Sequence, residues 1–410
     1  MKLLDTKKIF RPLALALVLL MFASATCWAT EMEEIESLKT RLNELENRVA
    51  DEAGLEKEAE SQGPVLSGAI RFNYNVNDFN DSEKDKGGDL KFDLFQLGVD
   101  GSYQDLFYSA QYRWNSYQDF VHHAYIGYHF SDTLQAQLGI TQVPFGNMPY
   151  EYHNFWGGIP YYIGLDDDLD MGVKVIKTAG PWDLQVAFFK NDEWGSASKL
   201  ERYSYDVVSD GGDQANEETN QVNARLAYTA DYGDFGQTEI GLSGEWGQLY
   251  NSVTADMGDH WAAAVHLNGN YGPFNLLLQV AEYRYNPKNP TGVDDRSVLM
   301  GGFSDSFSVA AEGTVYSGGL SYGLPVNWGP ISKLTFYEDY SRLVKKESGF
   351  EDSQLNTVGC MVTAGNVYTY IDVISGKNTL YVGGPRNSFA VGEQDPDWAT
   401  KFNINIGWYF

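Results

Sequence analysis

Apolar and polar side chains alternate with a period of two from residue 65 to the end of the chain. In the first such segment, apolar residues alternate with polar ones: Leu66, Ile70, Phe72, Tyr74 and Val76 against Ser67, Arg71, Asn73 and Asn75. Segments that begin at Leu106, Leu134, Trp182 and Trp261 repeat the pattern. A β-strand turns successive side chains to opposite faces, so each segment has one face suited to hydrocarbon and one suited to water.

The connections between these segments alternate between short and long. Short ones lie near residues 104–105, 131–133, 178–181, 232–236 and 272–274, and long ones near 77–90, 144–170, 190–217, 286–306 and 376–396. Membrane barrels have short turns at one end and long loops at the other. The sequence therefore predicts an all-β fold: a transmembrane antiparallel β-barrel of about 16 strands over residues 61–410. Its strands 12 to 15 fall roughly between residues 308 and 375, where the boundaries are least defined.

The end of the chain has the same alternation. Apolar Phe402, Ile404, Ile406, Trp408 and Phe410 alternate with Lys401, Asn403, Asn405, Gly407 and Tyr409. A strand that ends on an aromatic residue resembles the C-terminal assembly signal of outer-membrane barrels. We therefore expect the last strand to close the barrel.

Residues 1–29 are predicted to be a secretory signal peptide. A basic start with Lys2 and Arg11 precedes an apolar core, Leu13 to Phe22, and cleavage would follow Ala25 or Ala29. The apolar run from Leu13 to Ala25 is far shorter than the roughly 20 residues that a membrane-spanning helix needs.

The chain has 2 cysteines. A lipoprotein anchor at Cys27 is an alternative to simple cleavage, although Thr26 is a poor match to the residue expected before a lipidated cysteine. Cleavage after Ala29 would leave Cys360 alone, so no intramolecular disulfide is required.

Residues 30–60 are predicted to form a short coiled-coil helix. Its apolar residues are spaced by three and four: Ile35, Leu38, Leu42, Leu45 and Val49. A helix with so narrow an apolar seam is marginal alone, which favours self-association, and a homotrimer would suit a barrel of this kind. A frayed amphipathic spacer is the alternative.

The net charge of −27 makes nucleic acid an improbable partner, because phosphates would be repelled. Most acidic groups are expected to be solvated loop residues. No spacing of residues indicates a cofactor or a resident metal.

Charged residues also occupy the polar face of the strands. A cation on the lipid face would cost about 2–4 kcal/mol at the membrane midplane, so these residues are expected to face the lumen. The predicted pore-lining residues are Arg71, Arg113, Lys174, Arg225, Glu239 and Glu245, with Lys401 as a further charged position. They either solvate the wall and pair with loop carboxylates, or form a basic ladder that attracts anions.

The third long loop, residues 144–170, is expected to fold into the lumen and narrow it. Its aromatic residues, Tyr150, Tyr152, Phe155, Trp156, Tyr161 and Tyr162, could pack on the inner wall. Its acidic residues are predicted to set a negative field opposite the wall arginines: Glu151, Asp166, Asp167, Asp168 and Asp170. The alternatives are a solvated surface cluster and a site that holds a divalent cation.

Together these features resemble the porin O/P family of phosphate-selective porins or a closely related group of coiled-coil trimeric porins. The resemblance is carried by the signal peptide, the coiled coil and two short stretches, LGITQVPFG at 138–146 and DMGV at 170–173. It implies a trimer of 16-stranded barrels that passes small hydrophilic solutes passively. Phosphate selectivity is not expected, because there is no Lys or Arg between Thr141 and Met171.

The sequence therefore predicts a porin in the outer membrane of a Gram-negative bacterium, with outer-membrane lipids and small hydrophilic solutes as partners. One alternative is a barrel that anchors a tether reaching the cell wall through the coiled coil. Another is a barrel enzyme, which is disfavoured because no histidine lies in a nucleophile motif. His122 and His123 are expected on opposite faces of a strand, where they could not act together.

Overall fold

The computed structural model describes residues 63–410, so the signal peptide, the coiled coil and the possible anchor at Cys27 lie outside the described residues. Sixteen antiparallel strands form one closed barrel. They are β1 (Val65–Asn77), β2 (Asp89–Tyr103), β3 (Leu106–Asn115), β4 (Asp119–Ser131), β5 (Leu134–Gln142), β6 (Leu169–Ala179), β7 (Trp182–Asp192), β9 (Asn216–Asp231), β10 (Gln237–Asn251), β11 (Met257–Tyr271), β12 (Phe274–Asn286), β15 (Glu312–Trp328), β16 (Ile331–Lys345), β17 (Ser353–Ala364), β18 (Val367–Lys377) and β19 (Ala399–Tyr409).

The barrel closes where its first strand meets its last. β1 pairs with β2 on one side and with β19 on the other, from Ala69 opposite Tyr409 to Asn77 opposite Lys401. The predicted count of 16 strands is confirmed, and the region from 308 to 375 contains four of them, β15 to β18. Closure leaves the sheet with no free edge. A free edge would expose unpaired backbone amides and carbonyls to hydrocarbon, where no water can bind them.

The alternation of side chains fixes which face of each strand points outward. On β11, Val265 is 54% exposed, whereas the flanking Ala264 and His266 are buried. On β19, Ile406 and Trp408 are exposed outward, and Asn403 and Asn405 are buried inside. No helix within residues 63–410 is long and apolar enough to cross a membrane.

One end of the barrel carries tight turns. Three of them have the sequence Gly-Pro, at 180–181, 272–273 and 329–330, and their glycines have φ of 56°, 55° and 61°. A positive φ at the first central position is the geometry of a type II′ hairpin turn, and the second position accepts the fixed φ of proline. The five short connections expected from the sequence all lie at this end.

The other end carries the long loops, and two of them contain a small sheet of their own. Its three antiparallel strands are β8 (Asp206–Val207) in the loop 193–215, with β13 (Ser297–Gly302) and β14 (Asp305–Ala310) in the loop 287–311. Two short helices also lie in loops, α1 (Asp81–Lys86) and α2 (Ile159–Tyr162). This inner sheet was not expected from the sequence.

The outward face can be tested with one charge. Val265→Arg, near the middle of β11, is expected to lower the free energy of unfolding by about 2–4 kcal/mol, because the cation would lie in hydrocarbon. Gln135→Arg, on the inner face of β5, should cost far less. Urea unfolding in lipid vesicles measures both variants, and an equal cost would contradict the assigned faces.

Candidate functional site

The third long loop enters the barrel and crosses it. We call residues 143–168, between β5 and β6, the inserted loop. Its backbone amides donate to inward side chains of distant strands: Gly146 to Ser243 Oγ (3.0 Å) on β10, Asn147 to Gln279 Oε1 (2.8 Å) on β12, and Ile159 to Ser341 Oγ (2.9 Å) on β16. The loop is therefore fixed against the wall on the far side of the lumen.

Asp339 on β16 is the main attachment point for the middle of the inserted loop. Its Oδ2 accepts hydrogen bonds from the backbone amides of His153 (2.8 Å) and Asn154 (2.9 Å) and from Asn154 Nδ2 (2.8 Å). Its Oδ1 lies 2.7 Å from His153 Nδ1. One carboxylate thus holds two consecutive residues of the loop.

The surroundings of His153 favour its charged form. Nε2 lies 2.6 Å from Asn275 Oδ1, and the Asn275 amide group is oriented by donating to Asn268 Oδ1 (2.8 Å) and Asn270 Oδ1 (2.9 Å). Both ring nitrogens therefore face acceptors, and both must carry a proton to be satisfied. Although burial opposes the charge, the hydrogen bond to Asp339 raises the pKa of His153 above its ordinary value.

Two of the predicted wall cations lie beside aromatic rings of the loops. Arg71 on β1 bonds Asp93 (2.8 Å), and its guanidinium lies 5.0 Å from the ring centre of Phe155. Arg113 on β3 donates from Nε to Gln111 (2.8 Å), and its guanidinium lies 4.7 Å from the ring centre of Tyr203. Such stacking holds a guanidinium in place while its edge remains able to donate hydrogen bonds.

Both arginines line a cavity of about 390 Å³ that we call the aromatic chamber. Its walls come from the inserted loop, from the loops 193–215 and 287–311 and from the barrel. They include Tyr152, Phe155, Trp156, Tyr161, Tyr162, Tyr203, Tyr205 and Phe303. Several aromatic residues of the inserted loop thus line an open space in the lumen.

The other predicted wall residues make bonds within the lumen. Lys174 donates to the backbone oxygen of Gln142 (2.8 Å). Arg225 bonds Gly146 O (2.8 Å) in the inserted loop, Asp183 (3.1 Å) and Glu239 (2.5 Å). Arg225 therefore connects the wall to the start of the inserted loop.

The predicted acidic residues are brought close to one another and are buried. Glu151, Asp166 and Asp167 are 3%, 4% and 7% exposed. Burial raises the pKa of Asp167 to about 7, against the opposing effects of the Tyr203 hydroxyl, which it accepts from, and of Arg113. Burial also raises the pKa of Glu151 and of Asp166 well above the ordinary range. Their role in a field across the constriction remains a prediction.

Asp168 and Asp170 belong to a larger group that we call the acidic cluster. It also contains Glu245 and four carboxylates that the sequence did not single out, and its seven members are Asp168, Asp170, Asp192, Glu193, Asp206, Glu218 and Glu245. Burial and then the charges of Asp206, Glu218, Glu193 and Glu245 raise the pKa of Asp168 well above its ordinary value. The fully buried Arg202 bonds Asp192 and Asp206, each at 2.8 Å.

Bulges explain why parts of the lumen were missed. On β9 the register shifts beside Asn220, which has φ of 52°, so Glu218 turns inward and accepts from the backbone amide of Val207 (3.1 Å). An interruption of the strict alternation is the only sequence signal of such a change.

The prediction for His122 and His123 was wrong. A bulge in β4 places them side by side, with their Nδ1 atoms 2.9 Å apart. The inserted residue of a bulge breaks the two-residue period that the prediction assumed.

No protein-family profile and no curated protein sequence matches this chain. Among solved structures it is similar to the outer membrane channel DcaP of Acinetobacter baumannii, with 15% identity, a TM-score of 0.54, and 87% of this chain and 99% of the other covered. The anion-selective porin of Comamonas acidovorans has 14% identity and a TM-score of 0.54, over 85% of this chain and all of the other. OmpT of Vibrio cholerae, an outer membrane protein in a trimer form, has 15% identity and a TM-score of 0.52, over 86% and 100%. At these identities the likeness establishes a shared barrel fold.

The attachment of the inserted loop should depend on pH. The pKa of His153 is raised in the folded protein. Its ion pair with Asp339 therefore stabilises the fold fully at pH values below the ordinary histidine pKa. This stabilisation is lost as the pH rises through the raised pKa. We expect the loss of unfolding free energy caused by His153→Gln to be about 1 kcal/mol larger at about pH 5.5 than at about pH 9. Urea unfolding at the two pH values measures this difference. His129→Gln, at an exposed position, is the control, and an equal cost at both pH values would contradict the charged pair.

Proposed function

We propose that this protein is an outer-membrane porin through which small hydrophilic solutes and ions diffuse passively. The observation that carries the proposal is a closed barrel with an apolar outer face, whose interior is crossed by a loop and lined by charged groups. An apolar exterior suits lipid, and a polar interior suits a water-filled path. The barrels of DcaP and of the Comamonas porin, described as a channel and as anion-selective, support the same assignment.

The inserted loop is proposed to form the constriction. It is held at Ser243, Gln279, Asp339 and Ser341, so it is a fixed obstacle and not a free flap. Solutes would pass between this loop and the wall that carries Arg71 and Arg113. That arrangement selects by size and by charge.

Weak cation selectivity is expected. The chain has 56 acidic and 29 basic residues, and Arg225 is paired with carboxylates. Phosphate selectivity is not supported, because the inserted loop contributes no Lys or Arg. Membership of the porin O/P family itself remains part of the proposal.

A trimer is proposed on the basis of the coiled-coil pattern in residues 30–60. The Vibrio cholerae protein, which has a similar barrel fold and is described in a trimer form, supports this proposal. The alternative, in which the coiled coil is a tether and the barrel its anchor, predicts a different result for deletion of that segment.

One contact bears on the enzyme alternative. Ser109 Oγ lies 2.7 Å from His123 Nε2, a distance that a nucleophile and its base would have. Ser109, however, lies in mid-strand, paired with Asp100 on β2 and with Tyr125 on β4. Its backbone amide is therefore used within the sheet and cannot stabilise an oxyanion. We retain the porin as the proposed function.

Planar-bilayer recordings test the function directly. We expect the purified protein to form ohmic channels whose reversal potential under a salt gradient indicates a weak preference for cations. Absence of conductance from folded protein would reject a porin. Strong anion preference would reject the selectivity and show that the wall arginines outweigh the loop carboxylates.

Arg113 should contribute to selectivity. Arg113→Gln removes a cation beside the aromatic chamber, so we expect cation preference to rise by about twofold at low salt, where charges are least screened. Arg284→Gln is the matched control, because Arg284 lies on the outer face with a side chain that is 52% exposed. Equal shifts in the two variants would contradict a luminal role for Arg113.

Deletion of residues 30–60 separates the porin from the tether. A porin should keep its single-channel conductance, because the barrel begins after this segment. A tether should lose its attachment to the cell wall, measured by co-sedimentation with peptidoglycan. Loss of attachment in cells with no effect on solute uptake would favour the tether.

A further inference from the structure

The acidic cluster joins three parts of the chain that are distant in sequence. Asp168 is the last residue of the inserted loop, Asp170 is the second residue of β6, and Asp206 lies on β8 of the inner sheet. Each offers a carboxylate oxygen, and these three oxygens lie within 4.8 Å of one another. Oxygens bound to one calcium ion at about 2.4 Å can be no more than about 4.8 Å apart, so all three could bind the same ion.

A second observation points to a ligand. The Oδ1 atoms of Asp170 and Asp206 are buried and accept no hydrogen bond from residues 63–410, and the two residues are 2% and 1% exposed. Buried carboxylate oxygens are nearly always satisfied by a donor or a cation. The partner of these two oxygens must therefore come from outside the described chain.

The rest of the cluster is better satisfied. Asp192 accepts from the backbone amides of Trp194 and Gly195, and Glu193 accepts from that of Ser204. Arg202 is the one Lys or Arg of residues 63–410 in ion-pair contact with the seven carboxylates, and it reaches Asp206 through Oδ2. Within residues 63–410, Asp168 and Asp170 have no basic partner, like Glu218 and Glu245, and Asp206 shares Arg202 with two other carboxylates.

We propose that Asp168, Asp170 and Asp206 bind a divalent cation of the calcium type. The donors are carboxylate oxygens, which hard cations prefer, and an irregular set suits calcium better than the strict octahedron of magnesium. A cavity of about 310 Å³ is lined by Asp192 and Glu218, two other members of the acidic cluster. The bound ion would hold the loop 193–215 against the inserted loop and β6.

The test uses the full chain refolded in detergent without lipopolysaccharide, which itself binds divalent cations, and stripped with a chelator. Isothermal titration with calcium should show saturable binding of about one ion per chain, and calcium should raise the thermal unfolding midpoint. Asp168→Asn should weaken binding at least about tenfold, because it removes one charged ligand. Asp213→Asn is the matched control: the same change at an exposed position in the loop 193–215.

The outcomes are separable. Saturable binding that Asp168→Asn weakens and Asp213→Asn leaves unchanged supports the site. No saturable binding by the wild type, or equal weakening in both variants, overturns it. If Asp168→Asn does not fold, Asp170→Asn and the wild-type titration decide in the same way. Because conductance is not the readout, failure of this site would leave the porin assignment untouched.

Discussion

Satisfaction of backbone hydrogen bonds in hydrocarbon is the constraint on which this structure depends. A strand in lipid has no water to bond, so every amide and carbonyl must find a neighbouring strand, and the sheet must close on itself. Pairing of β1 with β19 meets this requirement. The alternation of side chains then follows, because each strand has one face in lipid and one in the lumen. Val265 outside and His266 inside on adjacent positions show the sharpness of that division.

Closure creates a second problem, which the loops solve. A barrel of 16 strands is too wide for wall side chains to fill, so polar groups from the loops complete the interior. The inserted loop does this by presenting backbone amides to Ser243, Gln279 and Ser341. The inner sheet of β8, β13 and β14 does it with a ladder of its own. The parts of the lumen that the loops fill are therefore hydrogen-bonded like the interior of a soluble protein, and solutes would pass through the space that remains.

The sequence predicted what depends on local periodicity. The strand count, the outward residues and the short turns followed from a period of two and from the lengths of the breaks between periodic segments, since these signals lie within a few residues of one another. Contacts between distant segments did not follow. Nothing near His153 indicates that it meets Asp339, 186 positions away, and nothing near Asp168 indicates that Asp206 lies beside it. Such contacts are set by the loop paths across the barrel.

Bulges account for the remaining failures, and they share one physical cause. One extra residue reverses the face of every side chain beyond it until a second irregularity restores the register. The bulge in β4 brings His122 to the side of His123, and the one in β9 turns Glu218 inward. Both bulges lie near the loop end of their strands, where the wall meets loops and water and a misplaced charge costs less than in hydrocarbon. The acidic cluster is assembled at that end, and the bulge in β9 is what turns Glu218 toward it.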